Sequence, residues 1–256
     1  MNKTLNFYFF HKIFTYLIIL LLVEGLFHFY YYKISQIIYF IPFKNQTGFN
    51  KFIWSENGLV EFLQVIFLFM STIFLIKFIK KIYYQFNIIQ RIFILLYLSG
   101  IVYYLFEEIS WGQHLFGWST PEIFSNLNHQ NETNIHNISS IFNELPRNLL
   151  LIWCSLSFVL VKTLKNNFNI FKKIILPNDN LKSISILILI FFIPNLLVEK
   201  LDLAPGHPAL NDTEILLNIF FEIISFNFVR LSELQELLFN FYILWHSYYL
   251  IKLKYN

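Results

Sequence analysis

The chain has 256 residues, of which 56% are hydrophobic and only 14% charged. A soluble domain typically carries about 25% charged residues, so a soluble core has no place for this much apolar surface, and lipid is the expected solvent. The formal net charge of +3 is too small to imply nucleic acid.

Phe 32 and Tyr 15 are high, whereas Gly 7 and Pro 7 are low. The abundance of Phe, Ile, Asn, Lys and Tyr fits the codon usage of an AT-rich, bacterial genome, so the aromatic content alone does not signal aromatic recognition. The single cysteine, Cys154, lies in an apolar run and is expected to be a small buried hydrophobe.

Membrane crossing needs ~20 mostly apolar residues. The first candidate span is Ile13–Tyr32, preceded by Lys3 and Lys12; it is too long for a signal-peptide core and lacks a small-residue cleavage site, so it is expected to be retained. Further candidates are Leu59–Ile79, Ile92–Ile109, Leu149–Thr163, Ile184–Val198 with Pro194 as a kink, and Leu234–Ile251. The stretch Glu214–Val229 is apolar but interrupted by Glu222 and Asn227, and it stands as an interfacial helix or a seventh span. The expected architecture is all-α: one polytopic transmembrane helical bundle of about six spans, seven being the alternative.

Lysine and arginine orient these spans, because cytoplasmic loops are enriched in both. Lys77, Lys80, Lys81 and Arg91 separate the second and third spans; Lys162, Lys165, Lys172, Lys173 and Lys182 separate the fourth and fifth; Lys252 and Lys254 follow the sixth. These segments alternate, which places both termini in the cytoplasm of a bacterial inner (plasma) membrane. Residues 110–146 form the long non-cytoplasmic loop; the first outer loop, with Lys33, Lys44 and Lys51, fits the pattern less well.

The polar motifs gather on the outer side. At the second span, Asn57, Glu61 and Gln64 share a helix face, with Glu56 beside a potential Ser55 cap. At the third, Glu107 and Glu108 are adjacent carboxylates at a helix C-terminus, the unfavourable end for acids, so one is expected to be protonated or cation-bound. Tyr103, Glu107, Ser110 and His114 would form one stripe if that helix continued, with Gln113 close by. Ser119–Leu127, with Pro121 and Glu122, reads as a short capped interfacial helix.

Within 128–137 two conformations give two sites. An extended strand puts Asn128, Gln130, Glu132, Asn134 and His136 on one side. A helix puts His129, Glu132 and His136 together, a spacing that suits a divalent metal. The last span opens with Glu233, Glu236 and Asn240 on one face, and His207 follows the fifth span as a weak candidate ligand. The sequons at Asn131, Asn137 and Asn211 are expected by chance in an Asn-rich bacterial chain.

The strings Glu107-Glu108-Ile-Ser-Trp-Gly-Gln113, Thr120-Pro-Glu122, Asn128-x-Gln130-x-Glu132-x-Asn134-x-His136-Asn137 and Glu56-Asn57-Gly58-x-x-Glu61 resemble a group of bacterial multi-pass membrane proteins with no assigned activity. The resemblance covers about half the chain. The CAAX-type membrane proteases share a Glu-Glu pair, but theirs is followed after three residues by Arg, where this chain has Gly112.

Three functions follow as expectations. The first is a membrane-embedded, metal- or carboxylate-dependent enzyme acting on a lipid or lipid-linked substrate at the outer face. In it Glu107 or Glu108 is base or ligand, His136 and Glu132 take part in chemistry, and Gln113, Asn134 and Asn137 orient substrate. The second is a proton- or ion-coupled transporter, since intramembrane acids mark ion pathways. The third is a non-catalytic assembly or partner-binding protein. No nucleic-acid partner is expected.

Overall fold

The computed structural model describes residues 11–27, 52–54, 58–127, 132–135, 138–163, 181–200 and 231–252; at 83, 114, 140, 143, 156–163 and 194–200 it describes the backbone alone. Every regular element among the described residues is helical. Backbone packing resolves two compact units, Met1–Gly58 with Pro194–Leu231, and Leu59–Ile193 with Ser232–Asn256.

In the first unit, residues 11–27 form helix α1. Phe14, Ile18 and Leu21 recur at helical spacing and are buried. The indole of the buried Trp54 donates a 2.8 Å hydrogen bond to Glu24 Oε2, which gives the acid inside the expected first span a partner.

The second unit holds the remaining helices. Helix α2 is Leu59–Ile82 and α3 is Ile88–Glu108. Then come the short α4, Gln113–Phe116, and α5, Glu122–Leu127, followed by α6, Ser140–Thr163. Helix α7, Lys182–Lys200, begins in this unit, and α8 is Leu231–Lys252. Helix α2 buries Gln64, Leu68, Ser71, Leu75, Phe78 and Ile82, alternating steps of four and three that keep one stripe inward. A 3₁₀ turn, Tyr83–Gln85, reverses the chain. Asn87 then caps α3: its side chain accepts from the Gln90 N–H at 3.0 Å while Gln90 Oε1 accepts from the Asn87 N–H at 3.2 Å.

Among the described residues two helices are long and apolar enough to cross a membrane: α3, and the one containing α2. Six were expected along the whole chain; the first, fourth and fifth of them run partly over residues whose side chains lie outside those described. Helix α6 opens with Glu144, Pro146 and Arg147 before its hydrocarbon begins. Helix α8 interleaves Glu233, Gln235, Glu236, Asn240 and His246 with its apolar residues, and nearly all of it is buried, so it forms the centre of its unit. The possible seventh span, Glu214–Val229, lies outside the described residues.

Helices α2 and α8 share one polarity. Gln64 Nε2 of α2 donates to the Glu233 carbonyl of α8 at 3.0 Å, joining their N-termini. At the other end Lys81 Nζ lies 3.5 Å from the Ile251 carbonyl. Helices α2 and α8 therefore run parallel. Glu61 and Glu233 open them, and Lys80, Lys81 and Lys252 close them. Leu68, Leu75 and Phe78 of α2, Ile94 and Ile101 of α3, and Ile243 and Leu250 of α8 belong to one apolar cluster.

Candidate functional site: a polar knot and an amphipathic pocket at the acidic end

The end of α3 is a sharp backbone reversal. Ser110 and Trp111 have φ of 45° and 56°, and Gly112 has φ of 100°. A side chain at Gly112 would meet both that conformation and its neighbours, since a Cβ would lie 3.0 Å from Trp118 Cη2 and 3.2 Å from Phe116 Cδ2. The expected continuous stripe Tyr103, Glu107, Ser110 and His114 is therefore broken after Glu107; the side chain of His114 is not among those described.

The reversal gathers the sequence motifs into a knot. Glu107 is buried and accepts from Trp111 Nε1 and from the Ile135 N–H, both at 2.7 Å. Ser110 Oγ donates to Glu132 Oε2 at 3.2 Å, and Asn134 Nδ2 donates to the same oxygen. Gln113 clamps two segments: its Oε1 accepts from the Thr133 N–H and its Nε2 donates to Thr120 Oγ1, both at 2.8 Å. The Thr133 hydroxyl donates to the Ser110 carbonyl at 2.6 Å.

Glu132, Thr133 and Asn134 are all buried and non-helical. Neither the extended nor the helical arrangement expected from sequence has three consecutive side chains inward. The segment is instead held on all sides by the knot, which satisfies each buried polar group. His129, Gln130, His136 and Asn137 lie outside the described residues, as do Glu56, Asn57, Asn128 and His207. Among the described residues no group of three or more His, Cys, Asp and Glu side chains is arranged to hold a metal.

Glu108 faces a second set of residues. Successive helical residues point about 100° apart, and where Glu107 turns to the knot, Glu108 turns to α8 and α2. There it interacts with Glu236, Glu233 and Glu61, with Tyr104 facing it one turn back. The two carboxylates make different contacts, yet both line one cavity. Arg147 of α6 forms an ion pair with Glu236, each side chain about one-fifth exposed.

Glu108, Glu236, Arg147 and Tyr104 form the charged end of a cavity of about 620 Å³. From there it runs along α3 to Phe93, between α6 and α8. Its walls are apolar and aromatic, with Leu96, Ile101, Leu150, Trp153, Phe239 and Ile243 among them. Leu96, Phe142 and Leu149 line it and are largely exposed, so the cavity opens sideways between α3 and α6. At its inner end the Tyr97 hydroxyl lies 3.1 Å from His246 Nδ1, and Trp153 stands edge-on to the His246 ring at 5.0 Å.

Arg147, Tyr104, Tyr97 and His246 were not anticipated. Arg147 had a signal: it is the first base after a long base-free stretch, and it follows a proline where the fourth span opens. Tyr104 had a weaker one, four residues before Glu108. Of the anticipated residues, Glu107, Ser110, Gln113, Glu132 and Asn134 converge on the knot, and Glu61, Glu108, Glu233 and Glu236 on the acidic cluster beside the cavity.

No protein-family model, curated protein or solved structure matches this chain.

Proposed function

We propose that this is a multi-pass protein of a bacterial inner membrane, both termini cytoplasmic, that acts as a membrane-embedded enzyme on a lipid or lipid-linked substrate at the outer face. One observation carries the proposal: a cavity graded from carboxylates and a guanidinium at one end to hydrocarbon and aromatic rings along the rest, open sideways between two helices. Its volume suits a small amphiphile. The grading matches a molecule with a polar head and an apolar chain, and a lateral opening suits entry from a bilayer. The separation of Glu61, Glu233 and Glu236 from Lys80, Lys81 and Lys252 along one helix length supports the orientation.

Glu108 is the acid–base group of this proposal. It lines the cavity and stands among three further carboxylates. Its carboxyl lies at the charged end of the cavity, placed to give or take a proton at a headgroup. The Arg147–Glu236 pair lies alongside, and its guanidinium is placed to stabilise negative charge developing on the substrate. Glu107, with its carboxylate tied to the knot, holds the loop in position. A divalent metal bound by Glu132 with His129 and His136 is the metal-dependent form of the same proposal.

The test is native mass spectrometry of the detergent-purified protein, followed by incubation with vesicles of bacterial total lipid extract and lipid mass profiling. Wild type is expected to carry a lipid-mass adduct and to convert a lipid species. Leu150→Trp, which fills the cavity, should lose the adduct. Glu108→Gln should keep it and lose turnover by ~100-fold or more. Retention of the adduct in Leu150→Trp would sink the pocket assignment. Loss of turnover only on metal removal, with Glu108→Gln active, would move the chemistry to Glu132 and the histidines.

A further inference from the structure

Helix α8 carries a second polar feature that does not line the cavity. Glu233, Asn240 and Ser247 recur every seven residues, and seven residues are only ~20° short of two full turns, so all three share one face. All are buried, Asn240 and Ser247 completely. At the outer end of this face Glu233 meets Gln64 of α2, whose Nε2 lies 3.3 Å from Glu233 Oε2. At the inner end Ser247 lies beside the hydroxyl of Tyr97 on α3. Asn240, midway, therefore faces the groove between α2 and α3.

Neither amide atom of Asn240 has a hydrogen-bond partner among the described residues, and nor does Oε1 of the fully buried Gln64. An unpaired buried amide group costs about 1–3 kcal/mol. Folded proteins meet such groups with ordered water, each molecule making two to four hydrogen bonds in a polar site. Glu233 to Asn240 is about 10 Å of helix, and Asn240 to Ser247 about 10 Å more.

We propose that the groove between α8, α2 and α3 holds a file of bound water. It starts at the acidic cluster of Glu61, Glu233 and Glu108, passes Asn240, and reaches the Tyr97–His246 pair on the inner half of α8. Asn240 is its central binding group, donating through Nδ2 and accepting through Oδ1. Gln64 Oε1 accepts from the first water of the file. Protons reach the buried imidazole by this route; its ends at Glu108 and Tyr97 also line the cavity that takes the amphiphile, whereas Asn240 and Gln64 do not.

Cysteine accessibility tests it in a Cys154→Ser background, in sealed membrane vesicles, with methanethiosulfonate ethylammonium as the probe. Asn240→Cys is expected to react at least tenfold faster than Leu238→Cys, which lies at the same depth on an apolar face. Equal rates for the two, with Glu233→Cys reacting readily, would overturn the proposal. Thermal unfolding of Asn240→Leu provides a second readout of opposite sign. If the groove is dry, leucine replaces an unsatisfied amide with hydrocarbon of similar volume and the Tm rises by several degrees, which also overturns the proposal. If water is bound, leucine displaces it and the Tm is unchanged or falls. Neither readout depends on a substrate, so failure here leaves the lipid-enzyme proposal standing, and the reverse also holds.

Discussion

At the scale of single residues, two adjacent acids divide the labour. Glu107 accepts from Trp111 and from the Ile135 backbone, so Glu107→Gln turns one acceptor oxygen into a donor facing an N–H. It should destabilise the protein by about 1–3 kcal/mol, read as a lower Tm in detergent and faster proteolysis between residues 116 and 140. Glu108 stands among like charges, and Glu108→Gln removes one of them. Its Tm should hold or rise while function is lost. A fall in Tm for both variants would show that both acids are structural. Gly112 gives a third prediction at this scale. Its φ is 100°, and a Cβ there would lie 3.0 Å from the Trp118 ring. Gly112→Ala should therefore cost about 1–3 kcal/mol, seen as a Tm drop with a red shift in tryptophan emission.

At the scale of elements, the helix ends carry the information. The start of α3 was unmarked by any motif singled out in the sequence, yet Asn87 and Gln90 close a reciprocal cap there. Asn87→Ala should cost about 1 kcal/mol, measurable by chemical unfolding, while Asn87→Asp should be nearly neutral. The end of α3 shows where periodicity fails. Tyr103, Glu107, Ser110 and His114 fit a helical stripe, but Ser110 and Trp111 adopt positive φ, which propensities for Ser and Trp do not announce. Only closure of the knot with residues 132–135 over-determines that geometry. The short helix α5 was legible, because Pro121 and Glu122 mark a helix start.

At the scale of the whole molecule, the polarity of the second unit sets the expected topology. Tyr84, at the basic end, and Ile123, in the long loop at the acidic end, are both highly exposed. In a Cys154→Ser background, an impermeant maleimide applied to intact cells should label Ile123→Cys and spare Tyr84→Cys until the membrane is opened. The opposite pattern would invert the topology and place the acidic end in the cytoplasm. Labelling of both in intact cells would count against membrane insertion.

Composition and residue spacing alone determined the helical class and the segregation of bases from acids along the chain. Those properties depend on residue type and local spacing, which a sequence displays directly. Only the tertiary structure decided that Glu107 and Glu108 make different contacts, that Arg147 pairs with Glu236, that Tyr97 meets His246, and that α8 is the buried centre. Each of those depends on which way a helix is rotated against its neighbours, across separations of up to 149 residues in the chain. Burial against those neighbours fixes that rotation, and no local pattern encodes it.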